Sequence, residues 1–242
     1  MIFRREPQFP ADSKSPLYRT EFVEIARSGV RIDFIEAIKT LTEAERRFNL
    51  HRTEDDRFFL EWLTGLGSLA DNEKAALNDV RRRYLYHRSQ EQLLEGTVTL
   101  LLASPLLAIA GFYDPPFRVR AEESIRIAID DGEEVLQGRM DVLVLQNQLW
   151  VVVLESKKTT LSVWSALPQT LAYLMANPKP DRSSFGMMTN GDEIVFVKLT
   201  QTGIPYYDVS RVFALLTANQ ELYSVLQILQ QIGRSMLPED CR

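Results

Sequence analysis

The sequence predicts an α/β fold: a mixed central sheet of about five strands flanked by helices, with an N-terminal helical extension. Apolar residues recur at helical spacing through the first part of the chain, then switch to strand-like alternation after Tyr113-Asp114-Pro115-Pro116. A nearly continuous apolar run, LWVVVLESK at 149–157, has the composition of a central strand buried on both faces.

Length and composition allow that architecture and exclude others. With 242 residues and 45% hydrophobic content, the chain can bury one sizeable core or a core with a helical annex. We divide it into an arm and helical extension over residues 1–87 and a second domain with C-terminal helices over 88–242. The single cysteine, Cys241, excludes an internal disulfide framework and leads us to expect a reducing cytoplasm. The opening MIFRREPQFPADSKSP places charges and prolines where a secretory signal needs an apolar stretch. Thr97 to Phe112, the most apolar run, is shorter than the roughly 20 residues of a spanning helix and is interrupted by Pro105, so it reads as a buried helix. The formal charge of −5 disfavours nonspecific attraction to a polyanion. Arg81, Arg82, Arg83, His87 and Arg88 could still face phosphates, or form a solvated helix face.

The elements follow in order. Residues 1–19 read as an extended arm. Ile32, Phe34, Ile35, Ile38 and Leu41 recur at helical spacing, followed by Phe58, Phe59, Trp62, Leu63 and Leu66. Gly65, Gly67 and Asp71 mark a break, after which helical segments run from near Glu73 past the arginines and from about Gln90 to Ala103. FRVRAEESIRIAI and VLQGRMDVLVL form a hairpin about Asp130-Asp131-Gly132, and a turn at Gln146-Asn147-Gln148 leads into LWVVVLESK. A helix over 162–176 starts at Ser162 or restarts at Pro168 and stops before Asn177-Pro178. SSFGMMTN and EIVFVKL are strands joined by Asn190-Gly191-Asp192, and Val212 to Ile232 closes the chain as one or two helices.

The chemistry concentrates around one strand end. Residues two apart in a strand share a face, so Glu155 and Lys157 project together while Ser156 points away. Asp141 lies fourteen positions before Glu155, and the intervening turn folds its strand back so that the two carboxylates can meet. Converging carboxylates with free coordination positions suit Mg²⁺ or Mn²⁺. Lys157 beside such an ion could orient or help deprotonate the attacking water and offset charge on phosphorus oxygens. The reaction class is phosphodiester hydrolysis; the bland alternative is a structural ion pair capping the sheet.

GRMDVLV followed by VVVLESK, in this order of elements, resembles the PD-(D/E)XK nuclease superfamily, in which an Asp and an Asp/Glu-X-Lys on adjacent strands form the metal site. Gln169 and Tyr173 add a Q-x-x-x-Y pair on one helix face, as in RecB-like nucleases and the N-terminal nuclease domain of type I restriction R subunits. The resemblance covers roughly residues 88–200. It implies a restriction-endonuclease-like core and Mg²⁺-dependent DNA cleavage, by an endonuclease rather than an exonuclease. Asp141, Glu155 and Glu95 would be metal ligands, with Glu91 second to Glu95 as the third acid. Gln169 and Tyr173 would contact DNA or brace the site. Implied partners are DNA and motor or specificity subunits; pairing of two copies through the C-terminal amphipathic helix is a separate expectation.

Departures from the family pattern bear on these expectations. Met140 stands where a proline usually precedes the Asp, and Ser156 replaces a more usual apolar residue. No G-x-x-x-x-G-K-[S/T] loop occurs, so an ATP-driven motor is not expected within this sequence. A catalytically silent module that binds nucleic acid or a partner subunit is the alternative reading. His51 and His87 lack metal-binding spacing, and Trp62, Trp150 and Trp164 read as core anchors, with Trp164 nearest the expected site.

Overall fold

Alternating apolar residues give one sheet two buried faces, and the helices cover both. In the computed structural model, which describes residues 30–33, 38–129, 134–146, 149–156 and 158–237, the chain runs β1 (Val30–Asp33), α1 (Leu41–Phe48), β2 (His51–Arg52), a 3-10 turn (Leu60–Trp62) and α2 (Asp71–Gln90). Next come α3 (Glu95–Val98), a π-helical turn (Thr99–Ala103), α4 (Ser104–Ile109), β3 (Arg118–Ile129), β4 (Glu134–Gln146) and β5 (Leu149–Ser156). A 3-10 turn (Val163–Ala166), α5 (Leu167–Met175), β6 (Ser184–Thr189), β7 (Glu193–Thr200), β8 (Tyr206–Val209), β9 (Phe213–Ala214) and α6 (Asn219–Met236) complete it.

The strand order is β1-β4-β5-β6-β7-β8-β2, with β3 on the other edge of β4 and β9 on β7. β3, β4 and β5 are antiparallel neighbours, whereas β5 and β6 are parallel. A parallel step needs a crossover, which α5 supplies. The sheet is therefore mixed and flanked by helices, as the sequence predicts.

Side-chain alternation explains the two cores. Val142, Val144, Met187, Ile194 and Phe196 pack with α2, α3, α4 and α6. Their neighbours Leu143, Leu145, Met188, Val195 and Val197 pack with α1 and α5 on the opposite face. The expected buried helix runs through α3, the π turn and α4, with Val98, Leu102, Leu106 and Leu107 fully buried. The Ser104 N–H bonds Thr99 O, five residues back, immediately before Pro105. Pro105 has no N–H to continue the regular ladder, which accounts for the wider turn at that point.

The five strands legible from alternation are β3 to β7. The other four described strands, β1, β2, β8 and β9, span four residues or fewer, too short to carry a period. Val30–Asp33, expected to be helical, is a strand because the first part of β4 offers it an edge, Val30 to Asp33 pairing with Glu134 to Gln137. The closing helix begins later than expected, at Asn219, after the Phe213–Ala214 strand. The division drawn at 87/88 falls inside α2. The N-terminal arm, the Asp130-Asp131-Gly132 turn, Asn147-Gln148, Lys157 and Cys241 lie outside the described residues. Among the described residues, no helix is long and apolar enough to cross a membrane.

Candidate functional site

Backbone register brings the two motif strands together. β4 pairs with β5 through Val142↔Leu154, Leu143↔Val153 and Val144↔Val152. The pairing ends at Val142↔Leu154, with Asp141 the next residue along β4 and Glu155 the next along β5. On its other side β5 pairs with β6, Glu155 standing against Met188 and Ser156 against Thr189. The Glu155 side chain is outside the described residues, as is Lys157.

Asp141, partly buried, sits where β4 loses its regular alternation. Met140 and Leu143 both reach the α5 face although they are three apart, while Val142 reaches the other. A regular strand would send 140 and 143 to opposite faces. Across the ladder, pairing skips Glu122, which adopts a left-handed φ of 55° between the pairs Ala121↔Val142 and Glu123↔Met140. Such irregularities re-aim a side chain locally, and they recur beside active sites.

The helix α5 supports this point. Tyr173, fully buried, donates its hydroxyl to the carbonyl of Arg139 at 3.0 Å, two residues before Asp141. Gln169, one turn earlier and 9% exposed, donates to the Tyr173 oxygen. The spacing of four that makes the pair visible in sequence thus puts both on the sheet-facing side of the helix. The expected helix start resolves into two steps: Ser162 accepts from Trp164 N at 3.3 Å and caps the 3-10 turn, and α5 follows with Pro168 in its first turn.

Glu95 and Glu91 separate clearly. Glu91 is the exposed residue that caps the C-terminus of α2. Glu95, partly buried, opens α3, and Thr99 donates its hydroxyl to the Glu95 carbonyl at 3.1 Å. Two residues before it, Leu93 is hydrogen-bonded both ways to Thr159: the Leu93 N–H donates to Thr159 Oγ1 at 3.2 Å, and the Thr159 N–H donates to Leu93 O at 3.3 Å. Thr159 follows Lys157 by two positions, so these bonds tie the segment entering α3 to the chain leaving β5. The Asn190 side chain then donates to Leu161 O at 2.8 Å from the β6–β7 turn. Neither Thr159 nor Asn190 was a site candidate in the sequence; Asn190 carried only a turn signal, and Thr159 carried none.

Other candidates have structural partners. Arg82 and Arg83 pair with Asp79, Arg81 donates to Leu215 O, and Arg88 pairs with Asp192. His51 and His87 are exposed and lie against Tyr206 and Tyr86. Trp62 packs partly buried against the α6-side core. Trp164 is 41% exposed and lines an open cavity of about 530 Å³ with Lys39, Arg52 and Tyr207. Among the described residues, no three His, Cys, Asp or Glu side chains cluster closely enough to hold an ion.

A comparison with curated proteins finds no match. Among solved structures, a fragment of a protein assigned as the HsdR subunit of a type I restriction enzyme from Vibrio vulnificus aligns with a TM-score of 0.36 and 19% identity. The alignment covers 62% of this chain and 27% of that one, so the match takes in about a quarter of that chain's length. The family model for the N terminus of type I restriction enzyme R proteins matches residues 37–203, well over half of the 242. It spans α1 and α2 as well as Glu95, Asp141, Glu155, Lys157, Gln169 and Tyr173. The chain belongs to the family of type I restriction enzyme R protein N termini.

Proposed function

We propose that the chain is a metal-dependent nuclease module that hydrolyses DNA phosphodiester bonds, by internal rather than terminal cleavage, as part of a type I restriction-like system. The observation that carries this reading is the pairing of Val142 with Leu154, since Asp141 and Glu155 are the next residues along those two adjacent strands. The tie between Leu93 and Thr159, which holds the Glu95 segment beside the end of β5, adds to it.

The donor set fits Mg²⁺ or Mn²⁺. Asp141, Glu155 and Glu95 offer only carboxylate oxygens, the ligands hard cations prefer, and Mg²⁺ needs just one or two carboxylates besides water and phosphate oxygens. When bound, the ion supplies Lewis-acid polarisation and a more acidic water. Asp141 and Glu155 would hold it, with Glu95 as the third acid. Lys157 would orient the attacking water and offset charge on the phosphoryl oxygens. Gln169 and Tyr173 would act as the brace of β4, since both are buried and bonded toward Arg139 O. DNA and the motor or specificity subunits are the proposed partners.

The test is incubation with linear, circular and single-stranded DNA in Mg²⁺, Mn²⁺ or EDTA. Cleavage should be confined to the metal lanes and include circular DNA. Asp141→Ala, Glu155→Ala and Lys157→Ala should each lower it by about 10²–10³-fold, the scale of losing a transition-state electrostatic contact. Glu95→Ala should do the same and Glu91→Ala should not. Cleavage that survives the three motif substitutions would sink the proposal, and DNA binding without hydrolysis would favour a non-catalytic module.

A further inference from the structure

Glu95 and Lys157 belong to segments 62 positions apart in sequence. The chain order does nothing to fix their separation; the Leu93–Thr159 contact does. Both residues are buried, Leu93 at 2% and Thr159 at 9% exposure. The contact is reciprocal, engaging the N–H and O of Leu93 and the N–H and Oγ1 of Thr159. It has two-residue leverage at each end: Leu93 precedes Glu95 by two, and Thr159 follows Lys157 by two.

A second tie backs the first. Asn190, 5% exposed, accepts from the N–H groups of Asp192 and Glu193 at 3.1 and 2.8 Å, which fixes its amide oxygen in the β6–β7 turn. Its amide nitrogen is thereby aimed at Leu161 O, 2.8 Å away. The loop after the motif strand is therefore held on one side to the Glu95 segment and on the other to the sheet. The threonine hydroxyl accepts from the Leu93 N–H, and a buried N–H that loses its acceptor is costly, so the segment should open rather than tolerate the loss.

We propose that Thr159, backed by Asn190, is a positioning residue that sets the distance between Glu95 and the end of the motif strand and thereby the affinity of the carboxylate site for its divalent ion. This rests on the reading of that site as a metal centre. Thr159 touches neither ion nor substrate in this role; it acts through the Leu93 backbone.

The experiment uses the whole chain with Mn²⁺ as probe. Calorimetric Mn²⁺ binding and amide hydrogen exchange are measured for the unmodified protein, Thr159→Val and Thr159→Ser. Valine keeps the branched shape and removes the acceptor, whereas serine keeps the hydroxyl. Thr159→Val should raise exchange at Leu93 at least tenfold and weaken Mn²⁺ binding about tenfold, a change of ~1.4 kcal/mol. Thr159→Ser should return both most of the way.

Coupling is reciprocal, so Mn²⁺ should slow exchange at Leu93 in the unmodified protein more than at Val225 in α6. That last measurement holds even where the valine variant does not fold. Faster exchange in Thr159→Val with unchanged Mn²⁺ affinity would overturn the proposal and leave the contact purely structural. So would Mn²⁺ binding that slows Leu93 no more than Val225. An unmodified protein that binds no Mn²⁺ overturns the metal-site reading itself, a result separable from the other two.

Discussion

Tyr84 and Tyr173 are both buried tyrosines whose hydroxyls are satisfied, one on each face of the sheet, at 1% and 0% exposure. Tyr84, on α2, donates to Asp192 Oδ1 at 2.8 Å, and Arg88 meets the same carboxylate through Nε and Nη2 at 2.9–3.1 Å. Burial, and then the carboxylate beside it, push the Tyr84 phenol above its ordinary range, so it stays a protonated donor. Tyr173, on α5, instead donates to a main-chain carbonyl next to the irregular point of β4. One tyrosine, beside the Arg88 counter-charge, anchors a turn; the other holds a backbone in place beside a candidate ligand. Residue type and burial are the same in both, so the partner separates stability from site geometry.

The largest expected effect tests the Tyr84 side. Gly191 adopts a φ of +91°, and a Cβ there would stand 2.3 Å from the Tyr84 hydroxyl. Gly191→Ala should cost roughly 3 kcal/mol, combining left-handed strain with overpacking. Denaturant unfolding measures it. Adding Tyr84→Phe should recover part of the loss, because the nearest remaining ring carbon is 3.0 Å away. A full loss in the double variant would show that the clash is not with this hydroxyl.

The two tyrosine-to-phenylalanine changes bear most directly on the contrast. Each should lower stability by about 1 kcal/mol for the lost hydrogen bond. Only Tyr173→Phe should also lower metal-dependent cleavage, by about tenfold or more, since small displacements of a catalytic group are expensive. Equal effects on cleavage would abolish the distinction. A smaller change concerns the strand opposite Asp141: Glu122→Gly removes a side chain from a left-handed position and should raise stability by roughly 0.5–1 kcal/mol with cleavage retained. Its 3.4 Å ion pair with Arg139 is exposed and contributes little. A fall in stability would mean that the pair, and not the backbone, dominates there.

The smallest expected effect is electrostatic and lies away from both tyrosines. Hydrogen bonds from Arg46 and then Arg47 lower the Glu43 carboxyl from an ordinary 4.5 to about 2. A depressed acid contributes stability above its unfolded value and loses it as pH falls through the folded one, so this contribution should fade between pH 4.5 and about 2. Glu43→Gln should flatten acid unfolding across that window and leave neutral pH nearly unchanged. A steep dependence persisting in the variant would assign it to other carboxylates.

The elements legible in the sequence share a cause. β3 to β7 and the long helices are each long enough to repeat a hydrophobic period, and the Asn190-Gly191-Asp192 turn has local chemistry that needs no distant partner. β1 is not legible in the sequence, because Val30–Asp33 holds too few residues to distinguish a strand from the start of a helix and its conformation depends on an edge of β4 a hundred residues later. Likewise, spacing located Gln169 and Tyr173 on one helix face, but it could not say that they brace Arg139 O.

By itself, the sequence determined the mixed α/β layout, the candidate trio Asp141, Glu155 and Lys157, and the Gln169/Tyr173 pair, because period and spacing are properties of a single segment. Tertiary structure decided the break in alternation of β4 at Asp141, the greater burial of Glu95 over Glu91, the different duties of Tyr84 and Tyr173, and the tie from Thr159 to Leu93. Each of these is a hydrogen bond or packing contact between residues far apart along the chain, and only folding sets that distance.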